Sequence, residues 1–432
     1  MPSPVARNIP LFIAFRVLFN ARWYYPVLGV LFLDLGLTLA QYALLNVAWA
    51  VSIVCLEVPS GALADQVGRR RMVVLAAGLM VLEMALFAFA PSGSAWLFPL
   101  LVLNRLLSGA AEACASGADE SLAYDSLRDD GRAAEWPAVL ARLMRWQAAG
   151  FFFTMMLGAA LYDPELVRTA AGTLGLTVAV TAEMTLRWPL YFTLGNGLLA
   201  LGVAVMMREP AAAHVPGTAS VGNTLRQTWA AGRWILTTPA ALFVILAGLC
   251  IDSVIRLFLT LGSNYYRLIA LPEASFGLIG SAFAVLGFFT PRLAQTMVAR
   301  QSMTTNLSLT AALTLTGLIV AAMVWPLWGV LAVIPLGVAM AMLQFFLSHY
   351  LNSYVTDSSQ RATVLSFKGL SFNLAYGAIG LLFAGFTRAR AEAGSQEAIF
   401  TEALRWLPVF FAVLVGALVW AGWKLLRERV RS

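Results

Sequence analysis

The residues best able to do chemistry fall in one stretch. From 104 the chain reads Asn-Arg-Leu-Leu-Ser-Gly-Ala-Ala-Glu-Ala-Cys-Ala-Ser-Gly-Ala-Asp-Glu and runs on to Tyr124, Asp125 and Arg128. Arg105, Glu112 and Asp119 recur every seven residues, which places them on one face of a continuous helix with Ser108 and Ser116 beside them. A cation and two carboxylates in file can pass a proton or hold a polar solute, because burial and a neighbouring cation pull on a carboxyl proton in opposite senses. Glu112 is the first candidate for a titrating carboxylate, and Arg105 for its partner or a solute contact. The competing reading is a structural ion pair to another helix. Gly109, Ala113 and Gly117, four apart, form a strip against which a second helix could pack closely.

Other polar groups lie in equally apolar surroundings. Arg22 precedes Trp23, Tyr24, Tyr25 and Pro26. Pro26 predicts a kink, and a cation beside three aromatics suits either a cavity wall for an organic anion or flat ring, or an interfacial belt. Glu83 reads as a structural partner. Asp252 and Arg256, four apart, can satisfy each other. Gln344, Ser348 and Asn352 form a second polar stripe, and Lys368 and Asn373 could line the same space. Cys55, Cys114 and Cys250 are far apart and, with only His214 and His349 beside them, form no metal spacing. No phosphate loop and no nucleophile–base pair is legible, so no enzyme, metal or cofactor is expected.

The elements that hold these groups must sit in lipid. Of 432 residues, 60% are hydrophobic and 12% charged, where a soluble domain is nearer a quarter charged. Apolar runs of spanning length lie at about 10–33, 39–61, 72–90, 95–118, 138–161, 187–207, 236–262, 273–298, 304–325, 328–350, 360–386 and 403–425. The net charge of +7 is spread in short clusters between these runs, with no basic stripe of the kind that binds nucleic acid. Arg69 to Arg71, Arg128, Arg132, Arg208, Arg226, Arg233, Arg300, Arg361 and the basic tail fall after even-numbered runs, which predicts that both termini are cytoplasmic. Arg168, Arg187, Arg267, Arg388 and Arg390 are exceptions. Residues 163–186 are expected to be an external loop with an interfacial helix. The polar stretch around Glu209 and Pro210 divides the chain into a half at 1–207, a linker at 208–235 and a half at 236–432.

After the second run the chain reads Gly61-Ala-Leu-Ala-Asp65-Gln-Val-Gly68-Arg69-Arg70-Arg71. This resembles the loop between helices 2 and 3 of the major facilitator transporters, G-x-L-a-D-[RK]-x-G-R-[RK], with Gln66 the one departure. Arg105 and Gly109 resemble that family's R-x-x-x-G pattern in helix 4. The glycines can permit a tight turn and close helix approach, and Asp65 can sit at a neighbouring helix N-terminus. The resemblance implies an all-α, polytopic membrane protein of about twelve helices in two six-helix halves. It further implies that Gly61, Asp65, Gly68, Arg69 and Arg70 form a conformational latch, with Asp125 pairing to Arg69 or Arg361. A second, degraded copy lies at Pro291 to Arg300, where Gln295 replaces the Asp. The antiporter motif G-x-x-x-G-P-x-x-G-G is not matched between Gly150 and Gly158.

These readings together predict a monomeric transporter of the inner membrane. It would move a small organic solute by alternating access, coupled to protons, with efflux favoured over uptake. Arg22, Arg105, Glu112, Asp119, Gln344 and Lys368 are the candidate solute and proton contacts. An uptake permease, or a sensor or assembly factor on a transporter scaffold, is the alternative.

Overall fold

A computed structural model of the chain describes residues 7–176, 179–210, 221–354, 358–392 and 394–431. Among them every regular element is a helix. In chain order these are α1 (Asn8–Asn20), α2 (Leu28–Asp34), α3 (Leu39–Val67), α4 (Arg69–Ala88), α5 (Leu97–Ala115), α6 (Ala118–Asp129), α7 (Trp136–Tyr162), α8 (Pro164–Thr173) and α9 (Ala182–Met206). They continue as α10 (Val221–Thr237), α11 (Pro239–Thr260), α12 (Gly262–Leu268), α13 (Phe276–Arg300), α14 (Met303–Ala322), α15 (Val333–Tyr354), α16 (Ser358–Ala389) and α17 (Gln396–Arg431). Nine spans among the described residues are long and apolar enough to cross a membrane. The remaining expected runs form α1 with α2, α7 and α13.

The chain divides into two compact units. The first comprises Met1–Leu37, Ala48–Leu225 and Pro272–Ser281, and the second Thr38–Val47, Arg226–Leu271 and Ala282–Ser432. Each therefore contains a short segment from the other side of the central linker. In the first unit, Gly277 abuts the Met155 and Met156 backbone of α7, where a Cβ would collide. In the second, Tyr42 donates to the Thr260 carbonyl at 2.8 Å and Gly380 admits Val47.

The first run is not one helix. It breaks between Asn20 and the turn at Tyr25–Val27, where Pro26 restarts the chain. A break at membrane depth must have its backbone groups satisfied by protein. Helix α9 supplies the partners: Asn196 donates to the Ala21 carbonyl at 2.8 Å, and Thr193 Oγ1 accepts from the Trp23 amide at 3.1 Å. Gly158 lets α7 press against the Trp23 carbonyl.

Helix α9 also completes both ends of α4. Glu209, just past its C-terminus, accepts from the Arg69 and Arg70 amides at 2.8 and 2.9 Å. Arg187, near its start, donates to the carbonyls of Ala88 and Ala90 at 2.6 and 2.8 Å. An anion at the N-terminus and a cation at the C-terminus both oppose the helix dipole and take up unpaired backbone groups. Arg187 is thus a helix cap, which accounts for its departure from the charge pattern. Arg168 and Arg390 also have local partners, the Val180 carbonyl and Glu402. The segment 163–186 does hold a short helix, α8, started by Asp163, whose carboxylate accepts from Glu165 and Leu166.

Candidate functional site

Three groups of polar side chains stand out: a loop clamp and a membrane-depth cluster in the first unit, and a membrane-depth cluster in the second.

The clamp is built on the turn between α3 and α4. Gly68 has φ +100, and a Cβ there would come within 3.0 Å of the Glu209 carboxylate. Glycine is required twice over, for the backbone angle and for Glu209 to reach the amides. Arg69 forms an ion pair with Asp125 and donates to the Ser121 carbonyl at 3.1 Å. Arg128 approaches the same carboxylate at 3.6 Å. Arg70 donates to the Met207 and Val205 carbonyls at 2.6 and 2.8 Å, tying the turn to the end of α9. The pairing of Asp125 is therefore to Arg69. The side chains of Asp65 and Arg361 lie outside the described residues. Gly61 is not a turn residue: α3 runs through it to Val67, and a Cβ at Gly61 would meet nothing within 4 Å. In the sequence Glu209 reads only as a linker residue. Its one signal was a carboxylate beside Pro210 at a helix end, which says nothing of a partner 140 residues away.

The expected stripe on the fourth run is interrupted. Helix α5 ends at Ala115, and Gly117 takes a left-handed conformation at φ +74 before α6 begins. The seven-residue phase is lost there, so Asp119 leaves the face of Arg105 and Glu112. Buried Asp119 pairs instead with Arg16 of α1 at 2.9 Å, and Arg16 also reaches Glu120 at 3.1 Å. Gly109 does allow close packing: its Cβ would strike Ser52 of α3, whose hydroxyl donates to the Leu106 carbonyl at 2.7 Å. Gly117 serves the turn and no packing contact.

Arg105 belongs to a sealed cluster. Arg22 forms an ion pair with Glu83, Asn104 donates to Glu83 Oε2 at 2.8 Å, and Arg105 Nε donates to Asn104 Oδ1 at 2.9 Å. Arg22, Glu83, Asn104 and Arg105 are all buried. Arg105 lies over the rings of Phe32 and Phe87 at 5.4 and 5.7 Å, and one of its terminal nitrogens has no hydrogen-bond partner. Arg22 lies over Phe19 at 5.6 Å. As a solute contact Arg22 would first have to give up Glu83. Glu112 is half-buried and stands outside this network.

The second unit's cluster spans α11, α15 and α16. Asp252 and Arg256 pair along α11 at 2.8 Å, as their spacing predicts. The structure adds Asn373, which accepts from Arg256 at 3.0 Å, and Gln344, which donates to Asp252 at 3.3 Å. Lys368 is half-buried and within electrostatic reach of both Asp252 and Arg256. Arg256 lies over Tyr376 at 5.5 Å and Lys368 over Phe372 at 5.9 Å. Asp252 is 1% exposed, yet Arg256 is 26% exposed and Gln344 is exposed. Sequence spacing could show the pair within α11 but not its partners on α15 and α16.

Comparison with known proteins agrees with this architecture. Residues 11–380 match the Major Facilitator Superfamily. The quinolone resistance protein NorA of Staphylococcus aureus (strain MRSA252) is 24% identical over 269 residues, which is 61% of this chain and 61% of that protein. Among solved structures, nucleoside transporter NupG superposes with a TM-score of 0.75 at 12% identity, covering 98% of this chain and 99% of that one. A bacterial homologue of the human lysosomal transporter Spinster gives 0.69 at 15%, covering 99% of each. A D-xylose-proton symporter gives 0.64 at 12%, covering 94% and 97%. With a helical membrane fold and a family match over most of its length, the chain belongs to the Major Facilitator Superfamily, a family of transporters and not of enzymes.

Proposed function

We propose that this protein is a secondary active transporter that exports a small organic solute by alternating access, driven by protons. The clamp carries this reading. Arg69, Asp125 and Glu209 make a set of charge-assisted contacts at one loop, of a kind that a two-state machine can use to hold one state. A static scaffold has no need of it. The name of NorA, a quinolone resistance protein, supports export of an amphipathic compound. In this proposal the halves 1–207 and 236–432 move about the linker at 208–235, the protein acts as a monomer in the inner membrane, and both termini are cytoplasmic. Glu112, Arg105 and Asp119 remain proton or solute candidates in the first half, with Gln344 and Lys368 in the second.

The test is proton movement in everted membrane vesicles with an acidified interior and a pH-sensitive dye. Lipophilic cations, organic anions, sugars and amino acids are added in turn. A transporter of this kind releases protons with one class, and Arg69→Ala, still inserted, loses the response by about tenfold or more, corresponding to about 1.4 kcal/mol of state preference. If no class elicits release from sealed vesicles holding the wild type, proton antiport of those solutes is wrong. If Arg69→Ala responds as the wild type does, the loop is not a latch.

A further inference from the structure

The membrane-depth cluster of the second unit has more cation than it can neutralise. Arg256 and Lys368 face one carboxylate, Asp252, leaving a surplus of one positive charge. Asp252 is already committed, to Arg256 at 2.8 Å and Gln344 at 3.3 Å. Lys368 has no ion-pair or hydrogen-bond partner among the described residues; its ammonium lies over the Phe372 ring at 5.9 Å. Charges at membrane depth are costly, and those that persist there commonly mark a solute or ion path. The groups beside Lys368 are not sealed: Arg256 is 26% exposed and Gln344 is exposed.

We infer that Lys368 and Arg256, on α16 and α11, bind the anionic group of an organic carboxylate, so that the transported solute is a monoanion. This rests on the transporter reading above and gives it a solute class. The arrangement suits one negative charge. Lys368 contributes a compact charge with three donors, while Arg256 is held in place by Asp252 and Asn373 and by the Tyr376 ring. A second negative charge on the solute would meet Asp252. A cationic solute would face the surplus directly. The first unit's surplus cation, Arg105, is only 5% exposed and lies over two phenylalanine rings, so it is the weaker candidate.

The test is binding by isothermal titration calorimetry to the purified full-length protein. The probes share one ring system: 2-naphthoate, its neutral amide 2-naphthamide, and the cation 2-naphthylmethylammonium. The wild type is expected to bind naphthoate at least about tenfold tighter than the amide, a charge-assisted bond being worth more than that. Lys368→Gln should remove that preference with an unchanged size-exclusion profile, which reports an intact fold, and Lys368→Arg should keep it. The inference is overturned if the amide or the cation binds as tightly as naphthoate, if no probe binds, or if Lys368→Gln preserves the preference. A wild type that prefers the cation but still releases protons in vesicles ends the carboxylate reading and leaves transport standing. Lys368-dependent naphthoate binding without proton release does the reverse.

Discussion

The two membrane-depth clusters are built from the same kit and do different things with it. Each has one carboxylate and two cations, with one amide in the first unit and two in the second: Glu83, Arg22, Arg105 and Asn104, against Asp252, Arg256, Lys368, Asn373 and Gln344. In the first, every member is buried, and the surplus cation is covered by Phe32 and Phe87. In the second, only the carboxylate is fully buried and the cations are part-open. Removing one partner from a sealed pair leaves an uncompensated charge, so such a cluster is a structural joint. A part-open cluster can exchange one partner for a solute at small cost to the fold.

That contrast can be broken by substitution. Glu83→Ala strands Arg22 and Asn104 in the interior, and about 3–5 kcal/mol of stability should be lost, read as a collapse of the monodisperse peak in fluorescence-detected size exclusion after heating. A Glu83→Ala protein as heat-resistant as the wild type would show that the first cluster is not a joint. A step smaller, Gly158→Ala drives a methyl into the Trp23 carbonyl at the break of the first run and should cost about 1–3 kcal/mol. It should lower the melting temperature without altering naphthoate binding in the second unit. Smallest is Glu209→Ala, which uncaps α4 and should cost about 1 kcal/mol. Its mark is a modest drop in melting temperature, with Glu209→Asp recovering part of it.

Much of this was legible in the sequence, and the limits have physical reasons. A spanning helix is a local property, so the twelve runs could be read from length and hydropathy. The turn at Gly68 could be read because the motif is contiguous. The stripe of Arg105, Glu112 and Asp119 failed because it assumed unbroken 3.6-residue periodicity, and a left-handed Gly117 resets the phase. In the sequence the same glycine reads as a packing residue, and composition cannot separate the two roles. Asp252 and Arg256 share one turn of helix and were visible as a pair. Gln344 and Lys368 join them from other helices, as Glu209 joins α4, through tertiary packing that one-dimensional spacing does not encode. The positive-charge exceptions make the same point, since Arg187 answers to the end of α4 and not to membrane orientation.

On this reading solute reaches the second cluster and not the first. The most direct test is thiol labelling in membranes. With Cys55, Cys114 and Cys250 replaced, Lys368→Cys and Arg105→Cys would each be exposed to a membrane-impermeant methanethiosulfonate. Rapid labelling at position 368, with position 105 inert, is the expected result. Equal labelling at the two positions, or labelling at 105 that naphthoate blocks, would contradict the account and move the solute site to the first unit.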